Sequence, residues 1–131
     1  MPEHLLLCTD LDRTLLPNGA QPESPGAREH FAVLAADPRV SLAYVSGRHR
    51  ELVEEALRDY QLPRPDFVIG DVGTTLYHVG RDELWQEDAQ WQAHIDADWN
   101  GRSHGDLQRA LEDIDIGGLR PQEEHKQNQH K

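Results

Sequence analysis

Two aspartates close a short apolar run near the start of the chain. Asp10 and Asp12 follow Leu5-Leu6-Leu7 and stand two positions apart, with Thr14 after them. An apolar run without a polar break predicts a buried central strand of a parallel sheet, and ligands of such sheets bind beyond the carboxyl ends of the strands. Two carboxylates that face one cleft repel each other unless a cation or a shared proton offsets the repulsion. The spacing therefore indicates a chemical site, and the alternative is a strand that ends in a solvated acidic turn.

A hydroxyl, a glycine and a guanidinium follow the next apolar run. Ser46, Gly47 and Arg48 come directly after residues 40–45. A hydroxyl and a backbone N–H at the start of a helix form an anion site, so Ser46 and Gly47 can hold a phosphate. Arg48 can add a charge-assisted contact to the phosphate or to the rest of the substrate. The alternative for Ser46 is a plain N-cap of the following helix.

The elements that must position these residues alternate between strands and helices. Apolar runs and helical periodicity predict a strand before Asp10, a strand over 40–45, a helix to Tyr60 and a strand over 67–69. Between the first two strands they predict a helix that starts with Ser24 as its N-cap and Pro25 in its first turn. This order predicts parallel strands with right-handed crossovers. A hairpin over 72–85 follows, and then one helix from Asp88 and another from Ser103 to Gly117.

The composition excludes several classes of partner. The chain has 131 residues and a net charge of −11. Neither nucleic acid nor an anionic membrane is expected as a partner, because both need a basic face. Cys8 is the single cysteine, so no disulfide framework forms, and it is expected to be a small buried hydrophobe. No targeting or membrane-spanning stretch is visible in the sequence, and we expect a cytoplasmic protein.

The stretch Asp10-Leu11-Asp12-Arg13-Thr14 resembles the first motif, DxDxT, of the haloacid dehalogenase (HAD) superfamily of phosphotransferases. Ser46-Gly47-Arg48 resembles the second motif of the superfamily. The segment 71–77, which reads D-x-G-x-x-L-Y, resembles one branch whose α+β cap is inserted late in the chain. That branch includes sucrose-phosphate phosphatase and mannosyl-phosphoglycerate phosphatase. The resemblance implies an α/β fold with a HAD-like (Rossmannoid) three-layer parallel sheet core.

The resemblance also implies roles for the motif residues. Asp10 attacks the phosphoryl group and becomes an aspartyl-phosphate, while Asp12 gives a proton to the leaving oxygen and later takes one from water. Mg²⁺ is expected as the cofactor, with Asp10 and Asp12 as its ligands through the first carboxylate and the second backbone carbonyl. The residues expected to bind the substrate phosphate are Leu11, Thr14, Ser46, Gly47 and Arg48, with Thr14 orienting the loop.

The resemblance covers only the first part of a family member. A complete enzyme of this kind also carries a lysine and an acidic pair after the cap, and neither motif is present here. We therefore expect residues 1–118 to be the N-terminal part of the core domain, and residues 119–131 to be a polar tail or the start of a missing cap. This incomplete form is expected to be inactive, and the strand edge left open invites self-association.

Two functions from different classes follow from these motifs. The favoured function is a Mg²⁺-dependent phosphatase that acts on a small-molecule sugar phosphate, with sucrose 6-phosphate as the leading candidate by resemblance. The alternative is a non-catalytic HAD-like module that binds a phosphorylated ligand or a partner protein. The cap that would select the substrate is absent, so these residues do not identify the substrate.

Overall fold

A computed structural model describes residues 3–112 and six positions beyond them, which are 114, 117, 118, 120, 123 and 125. The strands are β1 (Leu5–Thr9), β2 (Val40–Val45), β3 (Phe67–Gly70), β4 (Thr75–Val79) and β5 (Trp85–Glu87). The helices are α1 (Ala27–Ala35), α2 (Arg50–Asp59), α3 (Ala89–Trp99) and α4 (His104–Glu112). Most of the expected tail or cap segment, 119–131, lies outside the described residues, so that assignment stays a prediction.

The five strands form one mixed sheet in the order β1-β2-β3-β4-β5. β1, β2 and β3 are parallel, whereas β4 and β5 add an antiparallel hairpin at the far edge. The predicted α/β fold is confirmed, and so are the parallel strands and the hairpin. Because the carboxyl ends of β1, β2 and β3 lie at the same edge of the sheet, the residues that follow these strands come together there.

The core lies between the sheet and the face of α2. Val53 and Ala56 of this helix are buried, as the helical spacing of apolar residues predicts. Tyr44 of β2 is fully buried, and its hydroxyl donates a hydrogen bond of 2.8 Å to the carbonyl of Pro63. Val68 of β3 is fully buried as well. This packing fixes β2 and β3, which carry two of the loops at the candidate site.

The burial predicted for β1 is wrong. In the described part of the chain β1 pairs only with β2, so it is an edge strand. Leu5 is 51% exposed and Leu6 is 58% exposed, and Cys8 is exposed as well. An apolar run predicts what a strand can bury, but neighbouring elements decide whether it is buried. Cys8 is therefore not the buried hydrophobe that we expected.

Two helix ends also differ from the predictions. α1 begins at Ala27 after Gly26, which adopts a left-handed φ of 76°, so Ser24 is not its N-cap. Ser24 contributes only its backbone carbonyl, which accepts from the N–H of Ala27 at 3.1 Å. The last turn of α4 ends at Glu112, before the predicted stop at Gly117. The predicted starts of the last two helices hold, since Asp88 caps α3 and Ser103 exchanges hydrogen bonds with Asp106.

The loop between β3 and β4 is strained. Asp71 and Val72 have φ values of 51° and 59°, in the left-handed region that costs a β-branched residue most. The side chain of Val72 gains little in return, because this residue is 70% exposed. Such strain persists only where the surrounding structure enforces it. The loop is therefore held by its contacts and not by its own backbone preference.

Replacing Val72 with Gly is expected to raise the free energy of unfolding by about 0.5–1 kcal/mol, because Gly adopts a positive φ without steric cost. Thermal or denaturant unfolding measures the change. Val33 of α1, which is 74% exposed, is the matched control. Val33→Gly is expected to lower stability by a few tenths of a kcal/mol, because its backbone is helical. If Val72→Gly lowered the free energy of unfolding, the interpretation of this loop as strained would be wrong.

Candidate active site

Two buried leucines anchor the turn that follows β1. Leu11 and Leu16 are buried in the core, at 0% and 1% exposure. The carbonyl of Leu11 accepts hydrogen bonds from the N–H groups of Thr14, Leu15 and Leu16, at 3.3, 3.1 and 2.8 Å. These bonds and the two leucine side chains fasten the turn to the core. The residues on either side of Leu11 are Asp10 and Asp12, which remain at the surface.

The carboxylate of Asp10 is exposed and held at both oxygens. Its Oδ1 accepts from the backbone N–H of Leu11 at 2.7 Å, and its Oδ2 accepts from the hydroxyl of Thr14 at 3.3 Å. Each oxygen keeps lone pairs for other partners, because a carboxylate oxygen can accept more than one hydrogen bond. The structure thus places Leu11 and Thr14, two of the predicted site residues, directly on the predicted nucleophile.

The carboxylate of Asp12 forms a two-point ion pair with Arg48. The Nε and Nη2 atoms of Arg48 donate to Oδ2 and Oδ1 of Asp12 at 2.9 and 2.6 Å. The side-chain amide of Asn18 also donates to Oδ1. The Arg48 guanidinium, and after it Asn18, hold the pKa of Asp12 below its usual value, while burial acts in the opposite direction. A lower pKa makes Asp12 a stronger acid, but one that carries its proton in a smaller fraction of molecules.

Ser46 and Gly47 lie at the end of β2, next to the tip of β1. The last paired residues of β1 and β2 are Thr9 and Tyr44, so Asp10 comes one residue after this pair and Ser46 two residues after it. The backbone N–H of Ser46 donates to the carbonyl of Ile69 at 2.8 Å, and its hydroxyl accepts from the N–H of Arg48 at 3.1 Å. The N-cap of α2 is His49. The simpler interpretation of Ser46 as that N-cap is therefore wrong.

The loop after β3 supports the backbone of Arg48 from the other side. The N–H of Asp71 donates to the carbonyl of Arg48 at 2.9 Å. A Cβ added at Gly70 would approach that same carbonyl to 3.1 Å, so the close contact favours Gly at this position. Asp71 is buried, and its carboxylate accepts from the hydroxyl of Thr75 at 3.0 Å. The parallel pairing of β2 with β3, which matches Val45 with Ile69, brings the residues that follow the two strands next to each other.

Sequence reasoning missed Asn18, which links both sides of the turn. Its side-chain oxygen accepts from the N–H of Arg13 at 2.8 Å, and its amide nitrogen donates to Asp12. The run Pro17-Asn18-Gly19 predicts only a turn, which is the ordinary use of Asn at such a position. Residue type alone gave one usable signal, because Asn can donate and accept hydrogen bonds at the same time.

The donor atoms at this edge are the hard oxygens that Mg²⁺ prefers. Asp10 supplies an exposed carboxylate and Asp12 a backbone carbonyl, whereas the Asp12 side chain is held by Arg48. Mg²⁺ is commonly bound by one or two carboxylates together with waters and substrate phosphate. Among the residues that the structure describes, no three His, Cys, Asp or Glu side chains form a group that could hold a metal. The residues present therefore fit part of a Mg²⁺ site.

A family model described as sucrose-6F-phosphate phosphohydrolase matches residues 3–131. The chain belongs to the sucrose-6F-phosphate phosphohydrolase family. The match covers the DxDxT turn, the Ser46-Gly47-Arg48 loop and the hairpin, so the resemblance to the HAD superfamily is confirmed. None of the helices in the described residues has the length and apolar composition that crossing a membrane requires.

Relatives of this sucrose-6F-phosphate phosphohydrolase family member include two curated proteins and one solved structure. A protein of Nitrosococcus oceani described as a HAD-like hydrolase is 50% identical over the whole chain, and the chain covers 34% of it. The mannosylfructose-phosphate phosphatase of Agrobacterium fabrum is 38% identical over 60% of the chain, which covers 31% of that protein.

The solved structure is the sucrose-phosphatase of Synechocystis sp. PCC6803 in complex with sucrose and phosphate. Its TM-score is 0.72 at 28% identity, and the match covers 96% of this chain and 46% of that one. The fold is thus confirmed as HAD-like. The chain spans about a third of the curated relatives and about half of the solved chain.

Proposed function

We propose that this chain carries the nucleophile and the acid/base of a Mg²⁺-dependent phosphatase that acts on a sugar phosphate. The observation that carries the proposal is the exposed Asp10 carboxylate, held by the Leu11 N–H and the Thr14 hydroxyl at the tip of β1. Two hydrogen bonds orient this carboxylate without covering it, which is what a nucleophile needs. The family to which the chain belongs and the names of its relatives support a sugar phosphate as the proposed substrate class.

The proposed reaction has two steps, and Asp10 is the nucleophile of the first. An Asp10 oxygen forms a bond to phosphorus while the bond from phosphorus to the ester oxygen breaks. The ester oxygen keeps the electron pair and takes the proton of the Asp12 carboxyl. In the second step the Asp12 carboxylate takes a proton from water, whose oxygen attacks phosphorus and breaks the aspartyl-phosphate bond. Phosphate leaves, and both carboxyl groups return to their starting states.

The phosphate is held by groups that donate hydrogen bonds at the ends of β1 and β2. We assign this role to the Ser46 hydroxyl and the Gly47 N–H, with Leu11 and Thr14 fixing the nucleophile. A Cβ added at Gly47 would meet no atom within 4 Å, so packing in the described residues does not require Gly there. Close approach of a phosphate to the backbone does supply such a requirement.

Mg²⁺ would be held by the Asp10 carboxylate and the Asp12 carbonyl. Bound there, it would offset the repulsion between the anionic nucleophile and the anionic substrate. The other ligands of a complete site would come from waters, from the substrate and from segments that this chain does not contain.

The proposed substrate is sucrose 6-phosphate or a related glycosyl phosphate. The test measures release of inorganic phosphate by the protein in its full natural length, with and without Mg²⁺. Sucrose 6-phosphate, glucose 6-phosphate and an aryl phosphate are compared. We expect release that EDTA abolishes and excess Mg²⁺ restores. The 131-residue chain alone is expected to be at least about 100-fold slower, because it lacks the lysine and the acidic pair.

Two outcomes of that assay would contradict the proposal. If the full-length protein released phosphate from no sugar phosphate in Mg²⁺, the proposed function would be wrong. If the 131-residue chain alone turned over as fast as the full-length protein, the expected inactivity would be wrong.

Two further assignments stay proposals. We place the protein in the cytoplasm, since a single exposed cysteine suits a reducing compartment. Self-association through the edge of β1 is the second proposal, since this strand pairs only with β2 among the described residues.

A further inference from the structure

The guanidinium of Arg48 is occupied by protein partners at all three nitrogens. Nε and Nη2 contact the two oxygens of Asp12, and Nη1 donates to the carbonyl of Leu52 at 3.3 Å. The parallel pair of bonds to Asp12 is the geometry in which a planar guanidinium fixes the plane of a carboxylate. The side chain of Arg48 is only 24% exposed, whereas that of Asp12 is 40% exposed. Arg48 therefore lies behind Asp12 and leaves part of the carboxylate accessible.

The backbone of Arg48 is also fixed by hydrogen bonds, at both its N–H and its carbonyl. Its N–H donates to the Ser46 hydroxyl at 3.1 Å, and its carbonyl accepts from the Asp71 N–H at 2.9 Å. Gly70 lets the end of β3 approach this carbonyl closely. The ends of β2 and β3 thus set the position of a side chain that reaches across to the turn after β1.

The two oxygens of Asp12 are not equivalent in this arrangement. Among the residues that the structure describes, Oδ1 accepts two hydrogen bonds, from Arg48 Nη2 and from Asn18, whereas Oδ2 accepts one, from Arg48 Nε. A carboxyl oxygen has two lone-pair sites, so Oδ2 keeps one site at which it can carry a proton.

We propose that Arg48 is a positioning residue for Asp12 and not a contact to the substrate phosphate, and that it aims Oδ2 of Asp12 at the leaving oxygen. This inference rests on the proposed function. In the first step the proton on Oδ2 passes to the ester oxygen as the bond from phosphorus to that oxygen breaks. Arg48 takes no part in the proton transfer itself.

The test uses the full-length protein with Mg²⁺ and two phosphate esters that differ only in the leaving group. Nitrophenolate is a stable anion and leaves without a proton, whereas the alkoxide of glucose 6-phosphate needs one. Because kcat/KM covers the steps up to phosphoryl transfer, it reports on the acid. We expect Arg48→Met to lower kcat/KM for glucose 6-phosphate at least about tenfold more than for nitrophenyl phosphate. Inhibition by inorganic phosphate is expected to change less than about threefold.

Two results would overturn the proposal. An equal loss for both esters, together with weaker inhibition by phosphate, would make Arg48 a phosphate contact, because both esters carry the same phosphate. If Arg48→Met left kcat/KM unchanged for both esters, the ion pair with Asp12 would be a purely structural contact.

Arg50→Met is the matched control, since it removes the same charge two residues away. The Arg50 guanidinium pairs with Glu54 at 2.8 Å and lies over the rings of Tyr77 and Trp85. We expect Arg50→Met to leave the ratio of kcat/KM between the two esters unchanged. Arg48→Lys is expected to show a smaller selective loss, because one ammonium cannot span both oxygens. If Arg48→Met does not fold, as judged by thermal unfolding, Arg48→Lys decides on the same criterion.

Asp12→Asn separates this inference from the proposed function. If Asp12 is the acid, Asp12→Asn shows the same selective loss for glucose 6-phosphate. If Asp12→Asn lowers kcat/KM equally for both esters, the acid role assigned to Asp12 is wrong, whatever Arg48 does. A selective loss in Asp12→Asn that is absent from Arg48→Met overturns the positioning role alone.

Discussion

Replacing Asp10 with Asn is expected to lower phosphate release by the full-length protein at least about 10³-fold, the scale on which loss of a nucleophile acts. The amide oxygen of Asn can still accept from the Leu11 N–H, which bonds Asp10 at 2.7 Å, so the turn should keep its shape. The amide carries no negative charge and does not attack phosphorus. The effect should therefore fall on kcat and leave stability nearly unchanged. Steady-state release from the best sugar phosphate, together with thermal unfolding, measures both quantities.

Asp59→Asn is the control, since Asp59 is exposed at the end of α2. It removes one carboxylate without touching the candidate site, and we expect full activity. The measurement also separates the two functional classes. If the protein is a module that only binds a phosphorylated ligand, the unaltered protein shows no turnover, and Asp10→Asn keeps most of the ligand affinity. If Asp10→Asn retains more than about a tenth of the activity, another group is the nucleophile.

The positions of the strands could be predicted well because residues that favour turns stand before and after the apolar runs. β2 occupies the expected residues 40–45, since an apolar run is bounded by Asp37-Pro38 before it and Ser46-Gly47 after it. The hairpin followed from the glycines on each side of an alternating pattern. These signals are local, and local signals survive in the folded state when the tertiary contacts agree with them.

The burial of β1 could not be predicted, because it depends on what lies beside the strand. Leu5 and Leu6 have the composition of a central strand, yet each is more than half exposed. Composition describes the side chains, and position in the sheet is set by the pairing of all the strands. The predicted N-cap of α1 was wrong because Ser24 and Gly26 both suit that position, and residue type alone does not choose between them.

The candidate site divides in the same way. The identities of Asp10, Asp12, Thr14 and Ser46 follow from motif and spacing, and the structure places them at one edge of the sheet. The ion pair between Asp12 and Arg48 joins residues 36 positions apart, so it follows only once the register of β1 and β2 is known. Asn18 is harder still, because its contact depends on the path of an irregular turn.

Ser46→Ala is expected to lower kcat/KM for the sugar phosphate about 100-fold, the usual cost of removing one donor to a developing negative charge. Ser46 is only 5% exposed, and its hydroxyl oxygen already accepts from the Arg48 N–H at 3.1 Å. The hydroxyl proton therefore remains to be donated, and a phosphate bound beside Asp10 is the proposed acceptor. Loss of this donor should reduce the stabilisation of the transition state more than that of the ground state.

Ser46→Thr is the matched variant, because it keeps the hydroxyl and adds only a methyl group. Its kcat/KM is expected to stay within about tenfold of the unaltered protein, since family resemblance places Ser or Thr at this position. Steady-state kinetics on both variants, with inhibition by inorganic phosphate, makes the comparison. Should Ser46→Ala keep its kcat/KM and lose only about 1 kcal/mol of stability, the hydroxyl would serve the loop alone. The phosphate site would then have to be built from the Gly47 N–H and from segments outside this chain.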